Sequence, residues 1–248
     1  MHRRIPQKIQ ILKFVAEQAI VSAQDINRYF FKEDKTNVIV STLYQLGVAH
    51  MIYGLVQGGL WYINDPKLYQ LLKTYFPEMF GFKVRSISAP QISHYLELNR
   101  IRLALEKSNK INIIHWMSQR EILSIPPDQR SSFCPAKIPD AIFWSMSKKN
   151  IQNKYFLICE RYINSTPERY REIFRSYCER EDVENRNVVY LCGSEFVRRR
   201  LLAIEERMGS YLEPGENFQF VLLEDFYKNY EITPTVKEEE KVPEIQAV

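Results

Sequence analysis

Two acidic residues stand where carboxylates can act together on a phosphate group. Asp140 follows a proline in one β-rich run, and Glu160 ends the next β-rich run. Carboxylates from adjacent strands can bind Mg²⁺ at a scissile phosphate, and a lysine can assist the attacking water. Lys154 is the lysine that precedes Glu160 in the same run. The alternative is that Glu160 is a surface acid at the end of a strand.

A second candidate site lies on the helix predicted for residues 37–46. At about 100° per residue, Ile39, Leu43 and Leu46 form one apolar stripe. The opposite face carries side chains that form hydrogen bonds but have little charge, namely Asn37, Ser41, Tyr44 and Gln45. Such a face suits the reading of base edges or phosphates in a DNA major groove. The alternative is an ordinary solvated face.

Further candidate DNA contacts flank this helix. Lys35 precedes it, Tyr53 and Gln57 fall in the predicted hairpin that follows, and Lys83 and Arg85 lie further along the chain. The last two belong to the stretch 67–110, which holds eight basic and three acidic residues. We expect this basic stretch to add phosphate contacts and to make DNA affinity depend on salt. Solvated surface charge is the alternative.

Composition excludes several classes of protein. Only 8 of the 248 residues are glycine, and no glycine-rich phosphate loop is present. Hydrolase and zinc-protease motifs are missing, and the four cysteines and four histidines are too dispersed to suggest a metal site. Dispersed cysteines suit a reducing compartment, so a cytoplasmic location is predicted. The net charge of +4 is mild.

Residues 1–64 read as three short helices followed by a β-hairpin. Ser22, with Asp25 three residues later, predicts the start of the second helix, and Thr36 is the predicted cap of the third. Gly47 is placed to end the third helix in a left-handed conformation. This order is that of a winged helix-turn-helix, a module that binds DNA and also docks proteins.

The remaining chain divides into three parts. Residues 65–90 predict a packed connector, and residues 91–108 predict a helix that is apolar on two sides and therefore packs between two partners. The stretch 91–230 then alternates strand-like and helical runs, which predicts a mixed sheet covered by helices. Residues 231–248 hold five glutamates and two lysines, which predicts a disordered acidic tail.

The order of elements in 91–230 is similar to the core of restriction-endonuclease-like nucleases. Pro139, Asp140 and Glu160 carry that resemblance. The nuclease motif has a lysine two residues after the acid, whereas this chain has Arg161 and Tyr162 after Glu160. The predicted fold class is thus α+β or α/β: an N-terminal winged helix-turn-helix followed by a mixed-sheet, restriction-endonuclease-like domain. The missing lysine favours a non-catalytic role.

Several short phrases together resemble the replication-relaxation family of bacterial plasmids and integrative elements. They are HYLELNRIRLALE (94–106), WMSQRE (116–121), PDA (139–141), TPERYR (166–171) and LLEDF (222–226). The resemblance implies an N-terminal winged helix, a C-terminal nuclease-like domain and a role in plasmid replication, DNA relaxation or mobilisation. In that family an acidic strand such as E-V-E commonly precedes the helix start, whereas this chain has Ile158, Cys159 and Glu160.

The leading hypothesis is therefore a DNA-binding accessory protein of a mobile element. One alternative is an Mg²⁺-dependent endonuclease or nickase that uses Asp140 and Glu160, in which case Mg²⁺ is the cofactor; otherwise none is expected. Another is an interaction scaffold for a relaxase or replication initiator. Double-stranded DNA is the expected partner, no membrane partner is expected, and a homodimer remains open.

Overall fold

The computed structural model describes residues 5–53, 56, 59–130, 134, 137–147, 150–180, 187–208 and 218–230. Gln57 and the predicted acidic tail, 231–248, lie outside these ranges. Among the described residues, no helix is both long enough and apolar enough to cross a membrane.

The first unit contains three helices and three short strands. Its elements are α1 (Gln7–Gln18), β1 (Ile20–Ser22), α2 (Ala23–Phe30), α3 (Thr36–Gln45), β2 (Ala49–Met51) and β3 (Leu60–Tyr62). Strand β3 is the centre of an antiparallel sheet of order β1-β3-β2. Trp61 on β3 is fully buried and shares one core with Leu12 of α1 and with Ile39 and Leu43 of α3.

Strand β1 is missing from the predicted elements, so the prediction of helices followed only by a hairpin is wrong in this respect. Three residues are too few to show the alternation that marks a strand. The chain turns sharply at Ala19, which has a φ of 68°. Ile20 then pairs with Tyr62 on β3, a contact between residues far apart in sequence.

The predicted helix caps are confirmed at two positions and wrong at one. The Ser22 hydroxyl accepts a hydrogen bond from the Asp25 amide at 3.0 Å, and Gly47 has a φ of 72°. Thr36, in contrast, is the first helical residue and not the cap. The Asp34 carboxylate accepts a hydrogen bond from the Thr36 amide at 2.9 Å and so satisfies one of the free amides at the start of α3.

After the first unit, α4 (Pro66–Tyr75) and a 3₁₀ turn (Pro77–Gly81) lead to a long helix, α5 (Ala89–Lys107). The two apolar sides predicted for this helix contact different partners. Ile92 and Leu96 pack with Ile20 and Leu60 of the first unit. Another set packs on the large sheet described next, namely Leu98, Ile101 and Leu105. Helix α5 therefore joins the two units.

The second unit is a five-stranded mixed sheet with helices on both faces. Its strands are β4 (Ile113–Ser118), β5 (Ala141–Met146), β6 (Gln152–Glu160), β7 (Val188–Cys192) and β8 (Phe218–Leu222), in that spatial order. The first three are antiparallel, and β6, β7 and β8 run parallel. The helices are α6 (Gln119–Ser124), α7 (Pro127–Arg130), α8 (Pro167–Cys178), α9 (Glu195–Glu206) and α10 (Leu223–Asn229). The prediction of a mixed α and β chain with a mixed sheet is confirmed.

Helices α8 and α9 cover one face of this sheet, and α5 and α10 cover the other. Tyr170 and Phe174 of α8 pack with Ile142 and Ile158 of the sheet. Alternating residues of the same strands face α5 instead, among them Leu157 and Cys159. The carboxyl ends of the parallel strands β6 and β7 lie at one edge, together with the start of β5, because β5 and β6 are antiparallel.

Candidate functional site

Helix α3 presents the polar face that its spacing predicts. Asn37, Ser41 and Gln45 are exposed, and Tyr44 is 57% exposed. The Tyr44 ring stands edge-on to buried Trp61, with ring centres 4.8 Å apart. A tyrosine held on one side by an aromatic contact keeps a defined orientation while its hydroxyl stays available. Lys35, just before the helix, is also exposed and forms an ion pair with Glu33.

The side of α3 opposite its polar face packs into the core of the first unit. Ile39 and Leu43 are almost fully buried in its core. At the start of the helix, the Asn27 side-chain oxygen accepts a hydrogen bond from the Lys35 amide at 2.7 Å. At its end, the Val48 amide donates to the Leu43 carbonyl beyond the turn at Gly47. The exposed face of α3 therefore has a fixed position relative to the core.

The flanking candidates lie in other surroundings. Tyr53 is half-buried against the apolar cluster that joins β1 and β3 to α5. Lys83 and Arg85 are exposed, but both contact the second unit: Arg120 donates to the Lys83 carbonyl at 3.0 Å, and Arg85 donates to the Leu123 carbonyl at 3.5 Å. Within the described ranges, no hydrogen bond or ion pair links these residues to α3.

Asp140 is nearly buried, and three groups bind its carboxylate. The Cys159 amide donates to Oδ2 at 2.7 Å, the Gln119 side chain donates to Oδ1 at 3.1 Å, and His94 Nε2 lies 3.0 Å from Oδ1. Burial acts to lower the pKa of His94, but the hydrogen bond and charge of Asp140 outweigh it and raise that pKa. The Asp140–His94 contact joins the sheet to α5 and favours the protonated form of His94.

Glu160 is also buried, with a different set of partners. Tyr170 donates to Oε1 at 2.8 Å and Asn164 donates to the same oxygen at 3.0 Å, while Lys137 lies 2.9 Å from Oε2. Burial and the charge of Glu160 raise the pKa of Tyr170, so this hydroxyl remains protonated and donates. Lys137 lies 23 residues upstream of Glu160 in the sequence.

The two carboxylates do not share partners. Asp140 binds His94 of α5, whereas Glu160 binds Tyr170 of α8. Extending the strand register by one residue sets Asp140 opposite Ile158, which lies two residues before Glu160 on β6. Lys154 lies about 20 Å along β6 from Glu160, with its ammonium 4.6 Å from the centre of the Phe156 ring.

The oxygens of Asp140 and Glu160 accept hydrogen bonds or ion pairs from protein groups in this structure. Among the residues that the structure describes, no group of three or more His, Cys, Asp or Glu side chains is placed to hold a metal.

A cleft between the two units contains a network that the sequence did not predict. It has a volume of about 460 Å³ and is lined by residues of α1, α2, α5, β4 and α6. Arg102 lies 3.2 Å from Glu17 and 2.8 Å from Glu106, and Lys13 lies 2.7 Å from Glu17. Burial and the charge of Glu17 raise the pKa of Glu121 to about 7. The network therefore links the units electrostatically.

Comparisons of the chain with protein-family models, with curated proteins and with solved structures found no match.

Proposed function

We propose that the protein binds double-stranded DNA through α3, and that the first unit is a winged helix-turn-helix with α3 as its recognition helix. The observation that carries this proposal is the exposed, hydrogen-bonding and nearly uncharged face of Asn37, Ser41, Tyr44 and Gln45. Side chains of this kind bind base edges in a major groove, which is wide enough to admit a helix.

The arrangement of the first unit supports the same proposal. Helices α2 and α3 pack against each other, and β1, β2 and β3 form a small antiparallel sheet beside them. In helix-turn-helix proteins the second helix of the pair enters the groove, which here is α3. Residues 1–64 hold seven basic and four acidic residues, and 67–110 are more basic still, so positive charge accompanies the proposed recognition helix.

The resemblance to the replication-relaxation family gives the proposal its biological setting. We place the protein among the DNA-binding accessory proteins of plasmids or mobile elements, acting in replication, relaxation or mobilisation. The second unit contains a mixed five-stranded sheet, and we propose that it is a nuclease-like domain with a structural or binding role. Engagement of Asp140 by His94 and of Glu160 by Lys137 supports that assignment.

A gel mobility-shift assay with duplex DNA at low salt tests the proposal. Tyr44→Ala removes an exposed ring from the proposed interface, and we expect it to weaken duplex binding about tenfold, as loss of a base contact does. Tyr75→Ala is the matched control, because Tyr75 is an exposed tyrosine on α4, away from α3. Unchanged DNA mobility with the wild-type protein, on plasmid-origin and random sequences alike, would rule out the proposal.

The same preparation tests the nuclease alternative. Wild-type protein incubated with supercoiled plasmid and Mg²⁺ should leave the plasmid supercoiled. Nicking that disappears with Asp140→Ala would instead establish an active site at that residue. Nicking that survives the substitution would point to a contaminating nuclease.

A further inference from the structure

Two exposed aromatic side chains lie at the carboxyl edge of the five-stranded sheet. Tyr162 follows the end of β6 by two residues and is 56% exposed, and Phe196 lies in the first turn of α9, after β7, and is 73% exposed. Strands β6 and β7 are parallel neighbours, with Glu160 opposite Cys192, so both rings leave the sheet at the same edge.

The backbone holds these two segments together. The Gly193 amide donates to the Glu160 carbonyl at 3.0 Å. A Cβ atom at Gly193 would lie only 2.7 Å from the carbonyl oxygen of Arg161, so this close approach requires glycine. Tyr162 follows Arg161 by one residue, and Phe196 follows Gly193 by three. Both rings therefore lie close in sequence to this backbone contact.

Positive charge surrounds the rings. The Arg161 guanidinium lies 5.9 Å from the centre of the Tyr162 ring. Next to Phe196, Glu195 orients Arg198 and Arg199 through ion pairs of 2.7 and 2.8 Å. These three arginines exceed the nearby acids Glu195 and Asp225 by one positive charge, and the Lys137–Glu160 pair adds none. An anionic ligand with flat rings therefore complements this edge in both charge and shape.

We propose that Arg161, Tyr162 and Phe196, here named the edge site, stack unpaired DNA bases while the neighbouring arginines contact the phosphates. This proposal rests on the proposed function and extends it from duplex DNA to a single strand. Exposed aromatic rings beside basic residues bind single strands in a sequence-tolerant way, because every base has a flat face. Paired bases are stacked on one another and offer no free face, so the edge site selects unpaired ones.

Together with α3, the edge site gives the molecule two different DNA ligands. Duplex DNA contacts the first unit, and an unpaired strand contacts the second. Helix α5 packs against both units, so the two sites belong to one framework. Such an arrangement suits a boundary between duplex and opened DNA.

Fluorescence anisotropy with a labelled oligothymidylate of about 20 nucleotides and a duplex of equal length tests this proposal. The test protein is the full chain with Tyr162→Ala and Phe196→Ala combined. We expect its Kd for oligothymidylate to rise about tenfold or more, because stacking of each base on a ring changes affinity by roughly 5- to 150-fold. Its Kd for the duplex should stay within about twofold of the wild-type value, since both substitutions lie outside the first unit.

The matched control combines Tyr162→Phe with Phe196→Tyr, which keeps both rings and should bind oligothymidylate like the wild type. Wild-type protein that binds the duplex but not oligothymidylate overturns the edge site and leaves the proposed function intact. Oligothymidylate binding that the alanine pair does not alter also overturns it. If oligothymidylate binds through the edge site and the duplex does not bind at all, the function proposed for α3 is overturned and the edge site is not.

Discussion

Glu121 has a carboxyl group whose pKa is raised by its surroundings in the fold. Its side chain accepts a hydrogen bond from the Ser118 amide at 2.6 Å, which caps α6. The same side chain faces the cleft that contains Glu17, and burial together with the charge of Glu17 raises its pKa to about 7 from an ordinary 4.5. A carboxyl group with a raised pKa binds its proton more tightly in the folded chain than in the unfolded chain.

Glu121→Gln should therefore stabilise the protein at high pH. As the pH rises from about 4.5 to about 7, the wild-type protein loses stability because the folded state must release this proton. The glutamine keeps the capping acceptor without the charge, so at pH 8 we expect a gain of about 1–3 kcal/mol in the free energy of unfolding. Urea denaturation at several pH values measures it.

The gain should shrink to nearly zero close to pH 4.5, where the wild-type carboxyl is protonated in the folded state. An equal gain at both ends of the pH range would contradict the assigned cause.

Residue types could be predicted from the sequence better than residue partners. The spacing identified the α3 face, and Glu160 ends β6 as the sequence indicates, whereas Asp140 precedes β5 and does not lie inside it. Their partners His94 and Lys137 are 46 and 23 residues away in sequence, and no local pattern carries such a contact. Lys137, which contacts Glu160, lies on a different segment of the chain.

At the scale of elements, the cap of α2 fixes the helix that supports α3. Ser22 is buried, accepts a hydrogen bond from the Asp25 amide and donates another to the Asp25 carboxylate at 2.7 Å. Removing its hydroxyl leaves two buried polar groups of Asp25 without this partner.

Ser22→Ala should lower the free energy of unfolding by about 1–2 kcal/mol, the usual loss for a helix cap. Urea denaturation followed by circular dichroism measures the change. Ser41→Ala is the matched control, because Ser41 is exposed within α3 and its loss should cost less than about 0.5 kcal/mol. An equal loss of unfolding free energy in the two variants would show that the Ser22 cap stabilises the fold no more than an exposed serine does.

Elements with strong local signals could be predicted, and short ones could not. Thr166 and Ser194 stand directly before α8 and α9, and their hydroxyls cap these helices by accepting from amides three residues on. In contrast, β1 contains only three residues, and it forms because β3 pairs with it. Such elements depend on tertiary contacts and leave little trace in local periodicity.

At the scale of the molecule, Arg102 joins the two units. Its guanidinium binds Glu17 of α1, and it lies 5.3 Å from the ring centres of Phe14 and Tyr29 and 5.7 Å from that of Trp116. Burial acts to lower the pKa of Arg102, but the charges of Glu17 and Glu106 outweigh it and raise the pKa. The residue therefore stays charged at the centre of the junction.

Arg102→Met should destabilise the protein by about 3–5 kcal/mol, because Glu17 then remains buried without its arginine. We also expect the single unfolding transition to broaden or split, since the junction couples the two units. Arg100→Met, on the same helix but outside this network, should cost about 1 kcal/mol or less. Calorimetry that shows one sharp transition at an unchanged temperature for Arg102→Met would contradict the role of Arg102 as the link.

The salt dependence of duplex affinity is the most direct test of duplex recognition by α3. We expect log K to fall linearly with log salt concentration in the wild-type protein. Lys35→Gln should reduce that slope by about 1, the effect of losing one phosphate contact, whereas Tyr44→Ala should weaken binding at every salt concentration without changing the slope. An affinity that is independent of salt, or one that neither substitution alters, would rule out duplex recognition by α3.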